Sequence, residues 1–190
     1  EKSEAEKNRI GKKQKEIPAE SDFLSETKWA VEEKGIEQYK KMLEGFLLCN
    51  DAKVGETCIG DPTEIALLEM VPAAVRNEIL SSASRITEIP FSSERKKMTT
   101  LHRKRSKQII YSKGSVEEIL KQCSYIEDRG KILPLSAERR QQIVKAAKEM
   151  SDQALRVLAT CYREETEGTD LASMQKNTRT EQEWSRRLEK

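Results

Sequence analysis

Apolar positions recur every third or fourth residue in some stretches and every second residue in others, which divides the chain into helices and strands. Ile36, Tyr39, Leu43, Phe46 and Leu47 share one helical stripe, predicting a helix from Ile36 to Leu48 that Asn50-Asp51 ends. Gly60-Asp61-Pro62-Thr63-Glu64 is a helix start: Asp61 fits the N-cap, Pro62 the first helical position, and Glu64 can reach back to the cap amide. Pro72 interrupts that helix, and a second turn or helix runs on to Leu80. Ile86 to Ile89 reads as a strand. Met98-Thr99-Thr100-Leu101 and Ile109-Ile110-Tyr111 are two more, joined as a hairpin by the basic turn Arg103-Lys104-Arg105-Ser106-Lys107. Phe91 lies just ahead of the first hairpin strand, Lys96 near its start and Lys113 at the end of the second.

After Gly114, Ser115 and Glu118 repeat the capping pattern for a helix running to about Cys123. Tyr125-Ile126 and Ile132-Leu133 flank the hairpin turn Glu127-Asp128-Arg129-Gly130. Ser136 caps a long helix striped by Ile143, Ala146, Ala147 and Met150. Ala154 to Tyr162 predicts a strand with Leu155, Val157, Ala159 and Cys161 on one face, and Arg156, Leu158, Thr160 and Tyr162 on the other. Helices interspersed with hairpin-linked strands give an α+β class with a largely antiparallel sheet flanked by helices. Neither end keeps a period. Residues 1–35 and 166–190 are charged flanks, and residues 36–165 carry the folded domain.

Composition narrows the function. No apolar run approaches the roughly 18 residues of a spanning helix, and the opening Glu1-Lys2-Ser3, without an initiating Met, suggests an excised fragment. The net charge of +2 argues against nucleic-acid binding as the main task. Four cysteines show no Cys-x-x-Cys, and with one histidine in the chain zinc-ligand spacing is missing. Cys49 follows an apolar run and Cys161 lies in an apolar stretch, so both read as buried small hydrophobes rather than reactive thiols.

The chemistry is that of a binding module. Gly55 to Gly60 has the glycine spacing of a phosphate loop, but Asp61-Pro62 follows in place of Lys-Ser/Thr; the carboxylate repels phosphate and the proline removes a donor. His102 is the only histidine and has no nucleophile–acid set around it in sequence, so no catalytic residue is nominated. Phe91, Lys96 and Lys113 instead place one aromatic and two ammonium groups near one end of a sheet, suited to a planar anionic ligand such as a nucleotide.

Five segments, in order, resemble the nucleotide-binding (N) domain of P-type cation-transporting ATPases, most closely type II calcium-pump-like members. They are Leu48-Cys49-Asn50-Asp51, Gly60-Asp61-Pro62-Thr63-Glu64, Phe91-Ser92-Ser93-Glu94-Arg95-Lys96-Lys97-Met98, Lys113-Gly114-Ser115-Val116-Glu117, and Leu155-Arg156-Val157-Leu158-Ala159. The resemblance implies that Phe91 stacks on adenine and that Lys113 lines the adenine pocket. It places Lys96 near the nucleotide, Glu64 on the adenine side with Thr63 beside it, and Arg156 at the phosphates. Gly114 would let the backbone approach the base. Ser115-Val116 replaces the family's Ala-Pro.

The same resemblance implies a cytoplasmic domain of an integral membrane protein, without direct membrane contact of its own. Its ligands would be ATP or ADP, as Mg-ATP in the full pump, and its partners the pump's phosphorylation and actuator domains. The motif Asp-Lys-Thr-Gly-Thr, which carries the phosphorylated aspartate, is absent from the sequence, so the chain is expected to bind ATP without turning it over. Calcium as the transported ion follows only from likeness to type II members. One aromatic stack and a few exposed charge contacts imply a Kd on the order of 0.1–1 mM. Two rival readings are a non-catalytic protein-interaction module working through its charged flanks, and a nucleic-acid binder using the basic run from Arg95 to Lys107.

Overall fold

Local capping chemistry sets where most helices begin. The computed structural model describes residues 37–128 and 130–165; the expected flanks and Ile36 lie outside the described residues. Helix α1 spans Lys40–Leu48. Helix α2, Pro62–Glu69, begins as expected, with Asp61 accepting from the Thr63 amide at 2.8 Å and Pro62 in the first turn. Pro72 then ends the run, and α3 restarts at Ala73–Ser81. Three strands follow as a meander: β1 Ser84–Ser92, β2 Lys97–Lys104 and β3 Lys107–Gly114. Helix α4, Val116–Lys121, is capped by Ser115, whose hydroxyl accepts from the Glu118 amide. The hairpin of β4 Tyr125–Asp128 and β5 Lys131–Pro134 turns at Gly130, which sits at φ 74°. Helix α5, Ala137–Asp152, is capped by Ser136, and β6 Ala159–Glu165 closes the described chain.

Two expectations are corrected. The strand expected to end at Ile89 runs on to Ser92, which still pairs with Lys97, so Phe91, ahead of the hairpin as expected, lies within β1. The last strand starts at Ala159, not Ala154. Its ladder partner β3 ends at Gly114, opposite Ala159, and the next residue caps α4, so nothing remains for residues 155–158 to pair with. Ala154 turns instead, at φ 62°, and Leu155 is 46% exposed. Arg156 therefore stands on an exposed connection, not on a strand face.

The main sheet is antiparallel throughout, in the order β1-β2-β3-β6. Strand alternation puts Met98, Thr100 and His102 of β2 on the same face as Lys113, Tyr111 and Ile109 of β3. Helix α1 covers this face: Leu43, Leu47, Leu48 and Cys49 pack with Met98, Ile109 and Tyr111. Each fully buried aliphatic side chain there contributes roughly 1.5–3 kcal/mol. Glu44, at 2% exposure, joins Thr100, His102 and Lys113 as a buried polar group on this side, and its carboxylate accepts from the Tyr111 hydroxyl at 2.8 Å and the Lys104 ammonium at 2.5 Å. The opposite face buries Ile89, Leu101 and Ile110, and toward its end Ala159 packs near Val116, Leu120 and Ala147 of α4 and α5. The sheet thus has a core on each side, and one end of it carries the row Ser92, Lys97, Gly114, Ala159.

Candidate functional site

That end of the sheet gathers most of the residues singled out by sequence. Lys113, next to the last residue of β3, points to the α1 face. Its Nζ lies 2.7 Å from Glu64 Oε1, with the lysine side chain 7% exposed and the glutamate 18%. Glu64 does not reach back to its own cap amide, as the capping pattern predicts. Its second oxygen accepts from the Asp51 amide at 3.1 Å. A buried ammonium and an amide beyond the end of α1 outcompete the local donor, because leaving them unpaired costs more.

The glutamate is held from behind as well. Asn50 donates to the Glu64 carbonyl at 3.0 Å and to Phe46 O at 3.3 Å, while its own Oδ1 accepts from the Ala52 amide at 2.9 Å. The turn after α1 is therefore tied to the first turn of α2. Cys49, fully buried beside it, donates to Met98 O at 3.6 Å. Burial pushes its thiol up to about 11, against the opposing charge of Lys113. It is a packing residue, as the sequence suggested. Cys161, the other such cysteine, is half-buried on β6.

Phe91 is 61% exposed at the end of β1, where an irregularity in the β1–β2 ladder separates the Ile89–Thr99 and Ser92–Lys97 pairs. The Ser93–Lys96 turn that follows is closed by the Lys96 amide donating to Ser92 O at 2.7 Å, with Lys96 in the left-handed region at φ 52°. Lys96 O accepts from the Ser115 amide at 2.9 Å, which locks the turn to the start of α4. The Lys96 side chain is exposed, and its charge helps hold the Glu118 carboxyl below the usual range, after the larger effects of the Lys121 hydrogen bond and charge and of Lys97.

Gly114 is demanded by the protein's own packing. A Cβ there would run into the Lys96 carbonyl oxygen and lie 2.6 Å from Lys97 Cβ and 2.7 Å from Lys97 Cα, closer than real side chains come. The reason for the glycine is thus the approach of β2, whatever the ligand. Thr63 uses its amide on the Asp61 cap. Hydrogen bonding from the Thr63 side chain and then its amide, with a smaller contribution from the Arg156 charge, holds the Asp61 carboxyl below its ordinary range, so Arg156 lies within electrostatic reach of the α2 start. Lys113 and Glu64 are in direct contact, Gly114 adjoins Lys113, and Lys96 is tied to the same corner through the Ser115 amide.

Sequence reasoning missed Arg85. It emerges from β1 and makes four contacts. Nη2 donates to Leu48 O at 2.9 Å and Asn50 O at 2.6 Å, and Nη1 to Asp51 Oδ1 and Glu88 Oε2, both at 2.5 Å. No local pattern marks it, since its partners on the turn lie 34 to 37 residues earlier.

The hairpin, caps and helix-covered antiparallel sheet define an α+β domain whose sheet end combines an exposed aromatic with cationic groups. Residues 38–188 match the family described as P-type ATPase, cytoplasmic domain N, and the chain belongs to that family. It is 36% identical over 140 residues to Calcium-transporting ATPase 1 of Bacillus cereus, covering 72% of this chain and 16% of that relative. Over 123 residues it is 33% identical to Calcium-transporting ATPase type 2C member 2 of Homo sapiens, covering 63% of this chain and 13% of that protein. Calcium-transporting ATPase 1 of Yarrowia lipolytica is 30% identical over 153 residues, covering 77% and 16%. The chain spans 16% or less of the length of these relatives.

Proposed function

We propose that residues 36–165 form an ATP-binding domain that holds nucleotide at the Phe91–Lys113 end of the sheet, with residues 1–35 and 166–190 as charged flanks. The observation that carries this reading is the pairing of opposites at one sheet end: an aromatic left 61% exposed on β1 and an ammonium buried two strands away. An exposed phenyl ring gains by stacking on a purine, and the buried Lys113–Glu64 pair offers both a donor and an acceptor to the base edge. Thr63 stands beside Glu64, and Gly114 keeps the backbone at this corner without a side chain. Lys96 and Arg156, both on exposed segments, supply positive charge for the phosphates. The donor set fits a planar polyanion.

In the complete pump, ATP with its Mg2+ would be presented to a phosphorylation domain that lies outside this sequence, with an actuator domain as second partner. The coupled task is cation transport, with calcium favoured by the relatives' names. The chain itself then binds ATP or ADP and releases no phosphate.

Calorimetric titration of the chain with ATP tests the reading. A Kd on the order of 0.1–1 mM is expected, and Phe91→Ala should weaken it by about 1–3 kcal/mol without loss of helix signal. Unchanged affinity removes Phe91 from the site, and no heat at millimolar ATP favours the interaction-module reading.

A further inference from the structure

The turn that follows α1 carries two things at once. It ends a helix whose last turn holds no basic residue, leaving carbonyls to be satisfied. It also presents the Asp51 amide to Glu64, whose other oxygen holds Lys113. Arg85 is the group that fixes this turn from outside. One nitrogen of its fork takes the carbonyls of Leu48 and Asn50, and the other takes the carboxylates of Asp51 and Glu88. A planar guanidinium can satisfy two carbonyls and two carboxylates together; a single ammonium on a flexible stem cannot. Burial works against its charge, yet the hydrogen bonds to Asp51 and Glu88 raise its pKa further, so it stays cationic.

We propose that Arg85 is a positioning residue of the nucleotide site. Acting through the Leu48–Asp51 turn, it sets Glu64 and thereby the Lys113 ammonium, an assignment that rests on the nucleotide reading given above. Arg85 need touch no ligand. A cap that served stability alone would lower the unfolding midpoint and leave ATP affinity of the folded chain unchanged. A positioning residue moves affinity as well, and only while Glu64 is there to transmit it.

The test is a double-mutant cycle on the full chain, with ATP as titrant and calorimetry as readout. Arg85→Gln should raise Kd about three- to tenfold, and Arg85→Lys should leave it raised. Glu64→Gln should raise Kd too, and adding Arg85→Gln to it should change Kd by less than about twofold, because the two act in series. In an amide NMR spectrum of Arg85→Gln, the Asp51 signal should move. If Arg85→Gln proves unfolded, Asp51→Asn carries the test through the exposed end of the clasp, with a two- to threefold rise expected. Wild-type affinity in folded Arg85→Gln or Asp51→Asn, beside a weakened Glu64→Gln, overturns the role of Arg85. So do losses that multiply in the double variant. Wild-type affinity in both Glu64→Gln and Phe91→Ala instead defeats the nucleotide reading and, with it, this assignment.

Discussion

Glu64→Gln preserves volume and removes one charge, so its effect on stability isolates the buried pair. The variant leaves an ammonium that is 7% exposed facing a neutral amide at the position where a carboxylate oxygen lay 2.7 Å away. It also leaves the Asp51 amide donating to a neutral rather than an ionic acceptor. Stranding one partner of a fully enclosed pair costs about 3–5 kcal/mol. Glu64 is 18% exposed and the new amide oxygen can still accept one hydrogen bond, so the loss should be nearer 2 kcal/mol, a rough scaling of that range. Urea unfolding followed by circular dichroism at pH 7 should show the midpoint fall by about 1 M at unchanged slope, for a slope of roughly 2 kcal/mol/M. Lys113→Met should cost less, about 1 kcal/mol, because the carboxylate left behind keeps the Asp51 amide and some water. The double variant should then be more stable than the sum predicts by roughly 1–2 kcal/mol. Additive losses, or a Glu64→Gln chain within about 0.5 kcal/mol of wild type, would refute the reasoning that this pair is enclosed and mutually dependent.

Three further outcomes follow from particular residues. Gly114→Ala drives a methyl group against the β2 backbone at Lys97 and should cost about 1–3 kcal/mol in urea unfolding; a neutral effect would contradict the close approach of the two strands. Burial, with the Arg85 charge, lowers the His102 pKa to about 4 from an ordinary 6.5. The unfolded chain therefore takes the proton first, and stability should fall by up to about 2 kcal/mol as pH drops from 6.5 to 5. His102→Gln should flatten that slope, and an equal slope in the variant would remove the histidine as its source. Lys96 occupies a left-handed conformation that favours glycine, so Lys96→Gly should hold or raise the unfolding midpoint while weakening ATP binding about twofold to fivefold, the reach of one exposed charge; a lowered midpoint or unchanged affinity would contradict one half or the other.

What could be read from the sequence was what local chemistry decides. Asp61, Ser115 and Ser136 cap helices because their side chains reach amides two or three residues ahead, and that needs no knowledge of the rest of the fold. Pro72 breaks a helix wherever it falls. The α+β class with an antiparallel sheet, and the Met98–Leu101 and Ile109–Tyr111 strands, were legible from period and turn chemistry. The start of β6 was not, because it depends on where β3 runs out, at Gly114. Nor was the destination of the Glu64 carboxylate, whose partner Lys113 lies 49 residues on. Gly114 was legible as a constrained position but for another reason, since the atoms it avoids belong to Lys96 and Lys97. Arg85 carried no signal at all: an arginine in a half-exposed strand looks like surface until the turn after α1 is placed against it.

The central claim is that a purine lies against Phe91 within reach of Lys113. Intermolecular nuclear Overhauser effects between ATP and the isotope-labelled chain address it directly. Cross-peaks from adenine H2 or H8 to the Phe91 ring, with amide shifts at Glu64, Lys113 and Gly114, are the predicted result. Saturating ATP with no contact to the Phe91 ring, or contacts mapped to the Arg103–Lys107 turn, would contradict it.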